Sequence, residues 1–196
     1  MAPNVLPPTG RFRLHPVEPR YAPLFCFGLL TVSCALASFA LACATPFAAF
    51  AVVAAATLSP RPALLVVAGA WLVNQTIGFG MLHYPVDANT IAWGVVIGAA
   101  ALAATATSTI ALRAVPRMRG PLASPLALGL ALVCAYASYE IVLFAATPVL
   151  GGAGAFTPAI VARLGLLSFA WLIGLVAACE IVRLLNPFRS RRAAIR

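Results

Sequence analysis

The sequence predicts an all-α, polytopic integral membrane protein of six transmembrane helices, with the N-terminus and C-terminus both cytoplasmic. Three observations carry that prediction. Of the 196 residues, 63% are hydrophobic and only 9% are charged, against roughly 25% charged in a soluble domain. The apolar residues form runs that match the ~20-residue helix a bilayer core requires. The basic residues are all arginine, and nearly all lie on alternate connections between those runs.

The runs follow in order. The first extends from Tyr21 to Cys43 and the second, a short one, from Thr45 to Leu58. The third covers Pro62–Leu82, the fourth Ile91–Leu112, the fifth Leu122–Thr147 and the sixth Pro158–Leu185. Prolines sit at or near the junctions, Pro46, Pro60, Pro85, Pro116 and Pro148 among them, where a helix can end without losing an internal hydrogen bond. Residues 1–20 read as a cytoplasmic tail, 21–186 as the membrane domain, and 187–196 as a basic cytoplasmic tail. The tail "MAPNVLPPTGRFRLHPVEPR" is proline-rich and lacks the apolar centre of a cleavable signal.

Charge decides the status of the second run. About 14 apolar residues cross a bilayer only where it thins or where the segment is partly re-entrant. With an inside N-terminus, a crossing there keeps Arg61 inside. It also keeps Arg113, Arg117 and Arg119 inside, together with Arg189, Arg191, Arg192 and Arg196. The outer connections then carry Asp87 and no arginine, as the positive-inside bias requires. Five crossings would place an arginine cluster on the wrong side. The same placement removes nucleic acid as the reason for the net charge of +9. The expected localisation is the bacterial inner membrane, with the lipid bilayer as a partner.

Five cysteines, Cys26, Cys34, Cys43, Cys134 and Cys179, lie in apolar runs without CxxC spacing. They read as small hydrophobes, not as a zinc site or disulfide frame. Pairs such as Ser33/Ala37 and Ser38/Ala42 have the small-xxx-small spacing of close helix packing, which an alanine-rich chain also produces by chance.

Polar residues inside the runs mark the candidate site, because they are costly in lipid. Glu140 lies eight residues before Pro148, roughly 12 Å below the outer end of its helix. Arg163 lies five residues after Pro158, roughly 8 Å below the outer end of the next helix. Similar depth on neighbouring helices predicts a Glu140–Arg163 ion pair, serving either helix packing or a ligand. Tyr136, Tyr139 and Glu140 share one face at i, i+3, i+4, as a cavity wall or as ordinary interface tyrosines.

The segment "WLVNQTIGFGMLHYP" adds Asn74, Gln75, Gly78, Phe79, His83 and Tyr84, with Asp87 on the loop beyond. Asn74 and Gln75 fit either interhelical hydrogen bonds or a pocket wall. Gly78 and Gly80 would leave room for a ligand, and His83 would stand at its mouth or simply meet water. Glu180 and Arg183 are spaced to pair near the inner interface. The concentration of polar groups in the outer half predicts a pocket open outward. A through-channel would need polar lining throughout, and no paired carboxylates or Ser-His-Asp set marks a catalytic site.

Six helices, about 200 residues and an outward polar pocket resemble the substrate-binding S-components of energy-coupling-factor vitamin transporters. Trp71, Asn74, Gln75, Gly78, Phe79, Tyr84, Pro85, Trp93 and Gly94 resemble, within that group, the BtuM-type vitamin B12 S-components. The resemblance implies cobalamin as transported ligand, no cofactor of the protein's own, and an energy-coupling membrane subunit with ATPases as partner, although some members act without one. It also implies a cobalt-ligating cysteine near the outer end of the third helix. This chain has none there. His83 is the metal-competent residue of that region, since neutral imidazole ligates cobalt, and Cys43 is a distant substitute. Two other readings remain open beside vitamin uptake: a structural or assembly subunit of a larger membrane complex, and a membrane enzyme that modifies a corrinoid.

Overall fold

In the computed structural model, the described residues are 13–41, 44–114 and 123–185. Arg11, Ala42, Cys43, Arg117, Arg119 and the C-terminal arginine cluster from Arg189 lie outside the described residues, and so do the expectations placed on them. Six α-helices occur among the described residues: α1 (Ala22–Leu41), α2 (Phe47–Thr57), α3 (Pro60–Gly80), α4 (Ala88–Ala114), α5 (Ala123–Leu150) and α6 (Pro158–Leu185). All but α2 are long and apolar enough to cross a membrane.

Local chemistry sets the helix ends. Pro60 opens α3 at its first turn, where a missing N–H costs nothing. It also forces Ser59 into extended backbone, which separates α3 from α2. α4 begins three residues before the expected Ile91, because Asp87 caps it. The Asp87 carboxylate accepts the Thr90 backbone N–H at 2.9 Å and the Thr90 hydroxyl at 2.8 Å. α5 runs through Pro148 to Leu150, past the expected end at Thr147. A proline leaves the carbonyl four residues earlier without its N–H. Here the Thr147 hydroxyl donates to that carbonyl, Phe144 O, at 2.8 Å. The chain then turns through Gly151 and Gly152, both left-handed at φ 79° and 84°, and a 3-10 turn at Ala153–Phe156.

The sequence order conceals the spatial one. α2 is only 11 residues long, about 16 Å at ~1.5 Å per residue. Every one of its residues is buried. It stands in the middle, against α3, α4, α5 and α6, and more lightly against α1. The outer helices touch in the order α1–α3–α4–α5–α6, and the ring does not close by packing of α6 on α1. A helix apolar on all sides belongs in the centre of such an assembly.

The end of α2 at Thr57 lies with the basic end of the bundle. Leu14 N–H donates to Ala56 O at 2.8 Å, which satisfies one of the carbonyls a helix end leaves open. Arg13 and Arg113 face one small recess there with Ala55 and Leu58. Residues Leu14 and Pro16 are buried against this end, so the segment before α1 is tied to the bundle. The Glu180–Arg183 pair forms within α6.

The Asp87 cap carries a pH dependence. The Thr90 backbone N–H, then its hydroxyl, hold the exposed carboxyl below the ordinary aspartate range. A depressed folded pKa means that the charged cap stabilises the fold above the unfolded value, ~3.9. That contribution is lost as pH falls through the depressed value. Asp87→Ala is therefore expected to melt below the native protein at neutral pH, with the difference closing as pH falls below about 3.9. Paired thermal melts across that range check it.

Candidate ligand pocket

Because α2 begins only at Phe47, the longer helices around it extend past its N-terminal end. They enclose a cavity of about 440 Å³ there. Its floor is the start of α2, Phe47 and Ala48, with Thr45 beside them. Its walls come from three helices, each presenting one face. α4 contributes Trp93 and Ile97, and α5 contributes Tyr136, Tyr139, Glu140 and Leu143. α6 contributes Ile160, Leu164 and Ser168. The spacings are i, i+3, i+4 and i+7 on α5, i and i+4 on α4, and i, i+4 and i+8 on α6, each confined to one helical face. The α5–α6 turn covers the side with Gly152, Ala155 and Phe156. Phe156 is held by an edge-to-face contact with Phe144, centroids 5.3 Å apart.

The wall is braced across helices. The Tyr136 hydroxyl donates to Val161 O at 2.6 Å. Its ring lies so close to Gly165 that a Cβ there would come within 3.2 Å of it. Tyr139 stacks obliquely on Phe47, centroids 6.4 Å apart. Trp93 sits under the turn, where a Cβ on Gly152 would meet its ring at 3.5 Å.

Glu140 departs from expectation. The Glu140–Arg163 ion pair does not form: Arg163 is exposed on the outside of α6 and makes no ion pair with it. Arg163 precedes Leu164 by one residue, about 100° round the helix. With Leu164 in the wall, Arg163 points away, and its long stem lets the guanidinium reach toward the membrane surface. One carboxylate oxygen of Glu140, Oε1, is buried without a hydrogen-bond partner. The carboxyl faces the cavity, with the Tyr136 hydroxyl near it.

The other expected residues form a second cluster, on α3 and the turn after it, and do not line this cavity. Asn74 Nδ2 donates to Ser38 Oγ at 2.9 Å and Thr45 Oγ1 at 3.0 Å. Gln75 Nε2 donates to Asn74 Oδ1 at 3.1 Å. The two amides thus staple α3 to the end of α1 and to the start of the α2 segment. Gly78 holds the Tyr84 ring, which would be 2.7 Å from a Cβ there. Tyr84 in turn packs edge-on to Phe79, centroids 6.3 Å apart. Gly94 and Gly98 receive Gln75 and Trp71 in the same way, and Trp71 Nε1 donates to Gly94 O at 2.9 Å. Room left by these glycines is filled by the protein's own side chains.

Asn74→Ala removes a donor shared by two hydroxyls. It is expected to lower unfolding stability by about 0.6–1.7 kcal/mol, the range of interhelical hydrogen bonds in membranes. Denaturant titration in mixed micelles measures this.

His83 is exposed at the rim, in left-handed backbone with φ 55°. It ends α3 where glycine is usual: Leu82 N–H and Tyr84 N–H on either side of it donate back to Ile77 O and Gly78 O. No cluster of three or more His, Cys, Asp or Glu suited to a metal occurs among the described residues. An axial ligand to a metal already held in a macrocycle needs only one such side chain.

Trp93, Phe47, Phe156 and Ser168 complete the cavity and were not singled out by the sequence as site residues. Trp93 carries the signal of an interfacial anchor, which conceals a wall role. The i, i+4, i+8 set Ile160, Leu164, Ser168 is legible only when the inner face of α6 is known. No protein-family model, curated protein or solved structure matches the chain.

Proposed function

We propose that this chain is a multi-pass protein of a bacterial inner membrane that captures a small vitamin from the outer side. The single observation that supports this is the cavity over the start of α2. Its volume, about 440 Å³, falls in the ~300–1,000 Å³ range of small-molecule sites. Aromatic walls with one convergent charged group also have the character of such sites. The proposed topology has six crossings with both termini inside. Arg13, Arg61 and Arg113 then lie on the cytoplasmic side, and the pocket opens outward between the α3–α4 and α5–α6 connections.

Cobalamin is the vitamin named by the resemblance. A cavity of this size takes a projecting part of a corrinoid, with the ring across the mouth. His83, exposed at the same end, is then the proposed axial ligand to cobalt. An energy-coupling membrane subunit with ATPases is the proposed partner.

The test is the visible absorption of purified protein incubated with cobalamin and desalted, beside a His83→Ala variant. A retained corrinoid band with a ligand-field shift that His83→Ala abolishes is the expected result. A band unchanged in the variant removes His83 from the cobalt. No retained band, and no small molecule recovered from the native protein by mass spectrometry, removes the uptake reading in favour of an assembly subunit.

A further inference from the structure

Among the described residues that line the cavity, Glu140 is the sole acidic side chain, and none is Arg, Lys or His. Arg163, the basic group expected to neutralise it, faces outward. One oxygen of the carboxyl is buried without a hydrogen-bond partner. The same cavity is lined by the rings of Trp93, Tyr136, Tyr139 and Phe156. A buried carboxylate lacking a cation is expensive, and aromatic faces attract positive charge through the ring quadrupole. The start of α2 adds an opposing effect, since a helix N-terminus carries about half a positive charge. Half a charge on the floor offsets only part of a full carboxylate charge on the wall.

We propose that the pocket selects a small organic cation, a protonated amine or quaternary ammonium. Glu140 is the counter-ion and the surrounding rings are the cage. The inference rests on the outward pocket being the ligand site, but not on cobalamin as its occupant. It assigns Glu140 a binding role in place of the helix-locking ion pair.

Thiol-reactive methanethiosulfonates of opposite charge test it. A cysteine is placed in the wall by Leu143→Cys and, in a second variant, by Ile160→Cys. Each full-length protein, in lipid nanodiscs, is treated with the trimethylammonium-ethyl reagent and with the sulfonato-ethyl reagent. The parent protein, with its native cysteines only, is the blank. The expected result is a cationic-to-anionic rate ratio at least about tenfold above the ratio of the same two reagents on a free thiol, as a cleft of one sign of charge concentrates its counter-ion. Adding Glu140→Gln is expected to collapse that ratio toward the ratio of the two reagents on a free thiol.

Reaction at both sites with no charge preference beyond the free-thiol ratio, or an excess preference that survives Glu140→Gln, overturns the cation inference and leaves an open pocket. No reaction at either site means that the pocket is not reachable from solvent. That outcome overturns the pocket reading and the inference with it.

Discussion

Phe50→Ala is expected to lower the unfolding free energy by about 3–5 kcal/mol, the cost of deleting a fully buried aromatic side chain. Phe50 is 0% exposed. It sits edge-on between Phe47, centroids 5.8 Å apart, and Trp171, at 6.2 Å. The deletion therefore empties a space bounded by rings from α2 and α6. Within a bilayer, lipid tails are as apolar as the core, so association of helices depends on packing contacts rather than on escape from water. α2 concentrates those contacts, because all 11 of its residues are buried. Leu65→Ala is the comparison: Leu65 is 73% exposed on α3, and its loss is expected to stay within about 0.5 kcal/mol. Unfolding in mixed micelles measures both. A Phe50→Ala loss below about 1 kcal/mol would contradict the placement of α2 at the centre.

The second large effect is on binding. Leu164→Trp extends an indole from α6 into the 440 Å³ cavity and is expected to weaken ligand binding by at least about 100-fold, near 2.8 kcal/mol. Overpacking a filled core costs roughly 1–3 kcal/mol. Here the added ring enters open volume on the least enclosed long helix, so the thermal melt is expected to move little. Affinity is measured with whichever small molecule the native protein retains. Rates at Leu143→Cys, which should slow in the same variant, give a ligand-independent reading. Unchanged affinity together with unchanged cysteine reactivity would remove this cavity as the site.

The sequence displayed the helices well, because proline, glycine and capping residues act locally. Pro60 and the pair Gly151–Gly152 mark their boundaries whatever packs nearby. It displayed azimuth poorly. In water, an apolar stripe reports which side of a helix is buried. In lipid both sides are apolar, so FAAFAVVAAAT gave no sign of occupying the middle of the bundle. Polar residues then become the main markers of orientation, and they served unevenly. Asn74 and Glu140 do face inward, Asn74 onto Ser38 and Thr45, Glu140 onto the cavity. Arg163, similar to Glu140 in expected depth along the sequence, lies about a hundred degrees off the wall. Gly78 misled for a related reason. A missing Cβ is a hole, and sequence does not tell whether a ligand fills it or, as at Gly78, the ring of Tyr84.

The central position of so short a helix bears on how the chain is made. α2 leaves the ribosome second, but its partners α4, α5 and α6 are synthesised afterwards. At ~5–20 residues per second, the stretch from Thr57 to Leu185 takes on the order of ten seconds to emerge. At the start of that interval the most deeply enclosed segment of the finished molecule has only α1 and then α3 for company, and α4, α5 and α6 join it in turn. Biogenesis must hold an undersized, uncharged helix at the membrane until its surroundings are assembled around it. Variants that weaken α6 should therefore be recognised and degraded late, as full-length chains, rather than fail at insertion.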